Sequence, residues 1–238
     1  MNTFSPTEAI KYGWKTFKTN PGFLIGLLVI VYGVQFALSF VVGLIPDNNS
    51  SGWVLAVITS LITTIFSIII SLGMINALLK FVNTGKGNFA DIFSEFSNFK
   101  LLGNYIIGSI LVALIIIGGF ILLIIPGIYF AIRLSYFSYF IVEKKLGAKE
   151  AIKASWDATK GNVINLIVFG FLSFGVMILG LLALLVGLLV AIPVVSLAGV
   201  YVYKMLSRQA SPGANIPTAV APAVTVPTPT PIPPAPTG

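Results

Sequence analysis

Few side chains in this sequence could do chemistry. There is no cysteine and no histidine, so thiolate nucleophiles, imidazole bases and the usual zinc and haem ligands are missing. Seven carboxylates are present, all outside the long apolar runs, which leaves a carboxylate metal site or a paired acid and base without candidates there. The charge that does lie inside such a run is Arg133, ten residues before Glu143. On a straight helix that is about 15 Å, near the middle of a bilayer. A guanidinium at that depth costs about 2.5 kcal/mol or more and usually faces a protein interior or a path. With Tyr129 and Tyr136 beside it, Arg133 could bind an anion such as a lipid phosphate. Alternatively it snorkels outward or caps carbonyls freed by Pro126. Both readings stay open, and no acid within a span is available to pair with it. No catalytic residue, metal or cofactor is expected.

The elements that must position Arg133 are long and apolar. Leu101 to Val142 is a run of 42 residues, interrupted by Gly118-Gly119 and Pro126-Gly127, and Val163 to Tyr203 is an uncharged run of 41. A spanning helix needs about 20 apolar residues, so each run is read as a hairpin of two spans. With Phe23–Ile45 and Trp53–Leu79 the sequence predicts six spans, over about 23–45, 53–79, 101–121, 123–142, 163–182 and 185–203. One turn falls within 118–127 and another near Gly180 or Gly187. The fold class is therefore an all-α, polytopic membrane bundle over residues 1–208. Residues 209–238 carry no charge and nine prolines, a composition that predicts a disordered tail, with a proline-reading protein as a possible partner.

Each hairpin is preceded by a basic, aromatic stretch. In residues 5–18, Ser5, Pro6 and Glu8 form a capping box. Ile10, Trp14 and Phe17 share one face and the lysines lie largely on the other, the pattern of an amphipathic helix in the headgroup plane. Trp14, Trp156, Lys11 and Lys153 are the expected interfacial anchors. Ser60, Thr64, Ser67 and Ser71 lie on one face of the second span, a stripe of small hydroxyl residues suited to helix packing. The middle stretch, with Phe89, Ile92, Phe93, Phe96 and Phe99, is expected to form a third such helix.

Two stretches repeat. Glu8-Ala9-Ile10-Lys11, Trp14, Lys18 and Asn20 return as Glu150-Ala151-Ile152-Lys153, Trp156, Lys160 and Asn162, all at an offset of 142. At offset 82 the middle stretch matches more weakly, through Ile92, Phe96, Phe99 and Lys100. The chain thus reads as three units. With six spans and the N-terminus inside, thirteen of the fourteen bases fall in inner segments and the outer turns hold only Asp47, as the positive-inside rule requires. The expected location is a prokaryotic cell membrane with both termini cytoplasmic. The net charge of +7 is read as attraction to anionic lipid headgroups rather than to nucleic acid.

Residues 122–162 carry a more specific pattern. Pro126-Gly127, then Tyr129, Ala131-Ile132-Arg133, Val142-Glu143, and Ala151, Ser155-Trp156 and Lys160-Gly161 resemble the hallmark region of a prokaryotic six-span integral-membrane family. That family is related to the membrane domain fused to some glycerophosphodiester phosphodiesterases. The resemblance implies a six-span fold without an established activity. The phosphodiesterase resides in a separate soluble barrel rich in His and Glu, which this chain lacks. The expected function is non-enzymatic scaffolding, recruitment or organisation of the membrane. The alternative is a transporter or lipid-handling protein binding an anionic lipid or solute near Arg133.

Overall fold

The structure, a computed structural model, describes residues 4–44, 52–95 and 98–210. The turn at 46–51, Phe96 and the proline-rich segment from 211 onward lie outside the described residues. No strand occurs among the described residues. The helices are α1 (Pro6–Thr19), α2 (Pro21–Gly43), α3 (Gly52–Thr84), α4 (Phe99–Leu122), α5 (Ile124–Leu134), α6 (Phe137–Lys144), α7 (Ala148–Ala158), α8 (Val163–Leu182) and α9 (Leu184–Ala210). Local signals set their starts. Ser5 accepts from the Glu8 amide ahead of Pro6, Asn20 accepts from the Phe23 amide ahead of Pro21, and Asn98 caps the Leu101 amide. Among the described residues, six segments are long and apolar enough to cross a membrane: α2, most of α3, α4, α5 with α6, α8 and most of α9. The chain is a multi-pass membrane protein built as an all-α bundle.

Both long runs fold back on themselves, and glycines serve those hairpins in an unexpected way. The first turn is at Leu123, in extended conformation, and the second at Ala183. Gly119 lies against Gly127, and Gly180 against Gly187, so each hairpin is pinched where two glycines meet. A Cβ on Gly119 would come within 2.9 Å of the Gly127 Cα. The second turn falls in the gap between the expected spans 163–182 and 185–203; neither Gly180 nor Gly187 forms it, and both instead admit close helix approach. Pro126 sits in the first turn of α5, where its missing N–H removes no helical bond.

The fourth span is not straight. It breaks at Ser135–Tyr136 into α5 and α6, and α7 then folds back alongside both. Arg133 therefore lies just ahead of a break and not on one straight helix, the condition on which its expected mid-bilayer depth rested.

The core lies around the C-terminal half of α9. Leu197, Ala198, Val200, Val202, Tyr203 and Leu206 are all fully buried there, whereas the outer ends of the spans expose large apolar side chains, as lipid-facing helices do. Helix α1 lies along this half of α9. Tyr12 stacks on Tyr201 at 4.7 Å, and burial pushes the Tyr12 hydroxyl pKa up from its ordinary value. The buried face of α1 is Ala9, Gly13 and Phe17, with Trp14 48% exposed. The expected face of Ile10, Trp14 and Phe17 is thus rotated toward the small residues, because small residues let two backbones approach. A Cβ on Gly13 would run into the Val194 carbonyl. Gly13→Val is accordingly expected to cost about 1–3 kcal/mol through overpacking, read as a lowered midpoint of thermal unfolding in detergent. An unchanged midpoint would mean α1 is not docked this way.

Burial follows the offset of 142. Ala9, Gly13 and Phe17 are buried on α1, and Ala151, Ser155 and Thr159 at the corresponding positions of α7 and its cap; α2 and α8 also begin at this offset. The middle stretch differs. It forms a four-residue 3-10 turn, Phe89–Ile92, rather than a third amphipathic helix among the described residues. Its Asn88 side chain accepts from the Ala90 amide, Asp91 pairs with Lys80, and Ile92 is fully buried where Gly73 lets it approach α3. Local side-chain bonds of this kind compete with helix formation.

Docking is cyclic. The 3-10 turn packs on α3, α7 on α5 and α6, and α1 on α9. Each hairpin's leading segment thus rests on the last helix of another hairpin, and the N-terminal helix closes the ring.

Candidate functional site

Arg133 is 4% exposed and tied to α7. Its Nη2 donates to the Trp156 carbonyl at 2.6 Å, and its Nη1 donates to the Tyr129 hydroxyl at 2.9 Å. The guanidinium lies 4.0 Å from the Trp156 ring centroid, with the Tyr129 ring 5.5 Å away. Trp156 is in the last turn of α7, where carbonyls have no helical partner and the helix dipole is negative. A cation there bonds a carbonyl whose other contact is the Thr159 hydroxyl at 3.2 Å, stacks on an aromatic face and meets a favourable field.

The contact is reciprocal. The Arg133 carbonyl, at the end of α5, accepts from Ser155 Oγ at 2.9 Å and lies 3.2 Å from Thr159 Oγ1, whose one hydrogen has the Ser155 carbonyl nearer at 2.8 Å. The same Ser155 hydroxyl accepts from the Tyr136 amide at 3.3 Å. Ser155 and Thr159 are fully buried, and Ser155 bonds groups that the break between α5 and α6 releases. Non-helical backbone at such a place persists only when its polar groups find partners. Arg133 Nε remains buried without an acceptor.

Three ion pairs tie other elements together. Lys80 pairs with Asp91 at 2.7 Å and Lys145 with buried Glu95 at 2.8 Å. Lys145 is the one non-glycine residue with positive φ among the described residues, at 52°. Lys204, 4% exposed within the core, pairs with Glu143 at the end of α6. Sequence reasoning missed this pair because both residues read as flanks of spans that reach water. A single expected charge in the spans therefore becomes a core containing Arg133 and Lys204, the latter paired with the partly exposed Glu143.

On the other side of α5 a groove of about 620 Å³ opens between α5, α8 and α9. Tyr136 and Tyr139 line it with Ser135, Ser173 and Ser196, among apolar walls that include Ile132 and Phe169. Arg133 is not among its lining residues. Tyr129 and Tyr136, expected as joint neighbours of Arg133, thus divide between the two sides: Tyr129 touches the guanidinium and Tyr136 faces the groove. The small residues that open it are scattered through apolar sequence and gave no signal of a common cavity.

The remaining expected site residues fall as follows. Trp14, Lys11 and Lys153 are exposed, whereas Trp156 is half-buried beneath Arg133. Of the hydroxyl stripe, Ser67 accepts from Gln35 Nε2 on α2 at 2.7 Å; Ser60, Thr64 and Ser71 are exposed. No group of three or more Asp or Glu residues that could hold a metal occurs among the described residues.

Comparison with known proteins gives little by name. No family model matches the chain, and no solved structure matches it. The chain is similar to an uncharacterized protein of Mycobacterium bovis and to uncharacterized proteins of two Mycobacterium tuberculosis strains. Each is 28% identical over 247 aligned positions, which cover 94% of this chain and 73% of the relative.

Proposed function

We propose that this membrane protein is non-enzymatic and organises or scaffolds the membrane at its lysine-bearing face, which rests on anionic lipid headgroups. In this reading that face and both termini are cytoplasmic, in a prokaryotic cell membrane. The observation that carries it is the distribution of charge. Lys11, Lys15 and Lys18 on α1 and Lys149 and Lys153 on α7 are exposed, while Asp91, Glu95 and Glu143 are engaged in ion pairs within the fold. Exposed lysines next to Trp14 suit a surface of anionic lipid. Arg133 belongs to the scaffold in this reading, since its terminal nitrogens bond to Trp156 and Tyr129.

The proposal includes a divergent relationship to the six-span family that residues 122–162 resemble. Its support is spatial: Arg133, Ser155 and Trp156, three residues of that pattern, meet in one cluster.

The test is lipid retention. The triple variant Lys11→Gln, Lys15→Gln, Lys18→Gln removes about 1 kcal/mol of attraction per lysine, or about a hundredfold in affinity for phosphatidylglycerol. Native mass spectrometry of the full chain should show loss of phosphatidylglycerol adducts with an unchanged melting midpoint. Equal retention by wild type and variant would remove the basis for the reading.

A further inference from the structure

We propose that the groove between α5, α8 and α9 holds one acyl chain of a membrane phospholipid, with its ester carbonyl at Ser173 and its headgroup end toward Ser135 and Tyr139. The reading goes beyond membrane organisation, because it gives the bundle a defined lipid site. The groove is a place where helices fail to close. At Gly119–Gly127 and Gly180–Gly187 the space beside each glycine is filled by facing backbone or by side chains such as Phe120, but nothing lies within 4 Å of a Cβ added at Gly170. Small residues on α8 and α9, including Ser173 and Ser196, line the same space. An apolar space open at its side among membrane-spanning helices meets hydrocarbon first, and a water-soluble ligand would have to cross lipid to enter.

The polarity is graded along its length. Phe120 and Ile128, near the α4–α5 turn, form one end and are 46% exposed each. Ser135, Tyr139 and Gly199 form the other, and a Cβ on Gly199 would lie 3.4 Å from the Tyr139 hydroxyl. Between them Ser173 Oγ is buried without a hydrogen-bond partner. A buried hydroxyl gains by meeting an acceptor, and an ester carbonyl is the acceptor that a phospholipid chain brings. The polar end is also the end nearer the Glu143–Lys204 pair, on the side of the bundle where the lysines lie. Ser135 Oγ already donates to the Ile132 carbonyl at 2.9 Å, so the free donor in the groove is Ser173, and a dry stretch beside that donor matches an acyl ester, whereas a wholly apolar slot would match hydrocarbon alone.

The test uses the full chain in phosphatidylcholine nanodiscs doped with phosphatidylcholine carrying a photoreactive diazirine on one acyl chain. After illumination, peptide mass spectrometry should show several-fold more label at Ile132, Phe169 and Val195 than at the outward-facing Ile121 and Leu179. Gly170→Leu, placed where an added side chain meets open space, should abolish that enrichment without lowering the melting midpoint. Even labelling over both sets in the wild type would overturn the proposal, with no variant needed. Enrichment that survives in folded Gly170→Leu would overturn it as well, as would enrichment seen only when the probe carries a phosphatidylglycerol headgroup.

Discussion

Glu143→Leu is expected to destabilise the detergent-purified protein by about 3–5 kcal/mol, the cost of leaving a buried charge without its partner. Lys204→Met should cost distinctly less. The asymmetry follows from burial: the side chain of Lys204 is 5% exposed and that of Glu143 is 23% exposed. An orphaned Glu143 can regain water, whereas an orphaned Lys204 ammonium has almost no access to it. The double variant Glu143→Leu, Lys204→Met places two apolar groups where the ions were and should recover most of the loss, because apolar replacement of a buried pair is often neutral or stabilising. Thermal unfolding followed by circular dichroism on all four proteins completes the cycle. Single-variant losses that simply add in the double variant would show that the two side chains act independently and that the pair is not part of the core.

The same pair marks where reading the sequence runs out. Chain length and hydropathy make the hairpins legible, because 42 and 41 apolar residues are each about twice a span. Repetition made α1 and α7 legible as well, and Ala9 and Ala151, matched at the offset of 142, are both fully buried. The face that α1 buries was less accessible. Counting large apolar residues selects Trp14, but close helix contact selects Gly13, and a glycine's role depends on a partner many residues away. The glycines of the hairpins show the same limit. Gly180 and Gly187 look like breakers in one dimension, yet in the fold they are contact points on either side of a turn at Ala183. Lys204 lies next to the end of an apolar run and has every sequence mark of a residue facing water. It is buried because α1, α6 and α8 surround α9 beyond the length that a membrane needs.

The cyclic docking gives these details a common cause. Helix α1 is far from α9 in sequence but closes the ring on it, while α7 is adjacent to α6 and closes locally. Loss of either contact opens the layer that carries the exposed lysines, so the proposed lipid-facing surface depends on residues that never touch lipid. Gly13 and Ser155, 142 residues apart, make this dependence different in kind. Gly13 acts by having no side chain, and Ser155 acts by bridging the backbone across the break between α5 and α6.

Arg133→Leu is expected to leave membrane insertion intact and to lower stability by about 3 kcal/mol. Insertion depends on apolar length, and leucine removes the cost of placing a charge among the spans. Stability falls because the Trp156 carbonyl loses its 2.6 Å donor and the guanidinium no longer stacks on the indole ring. A charge-assisted hydrogen bond contributes about 1.5–3 kcal/mol, and a desolvated cation–π contact about 2 kcal/mol. Relief of desolvation offsets part of the sum. Arg133→Lys separates charge from shape: an ammonium keeps the charge but has no planar face to lay on the indole and no fork to reach Tyr129 and Trp156 together. It should recover less than half of the loss. The measurements are membrane-fraction yield, thermal unfolding, and near-ultraviolet circular dichroism of the tryptophans, whose Trp156 contribution should weaken in both variants. If Arg133 served as an anion site, Arg133→Leu would instead leave the unfolding midpoint and the tryptophan signal untouched and remove only bound lipid. Full recovery by lysine would point the same way, since a bound anion needs the charge while the Trp156 carbonyl and ring need the guanidinium's geometry.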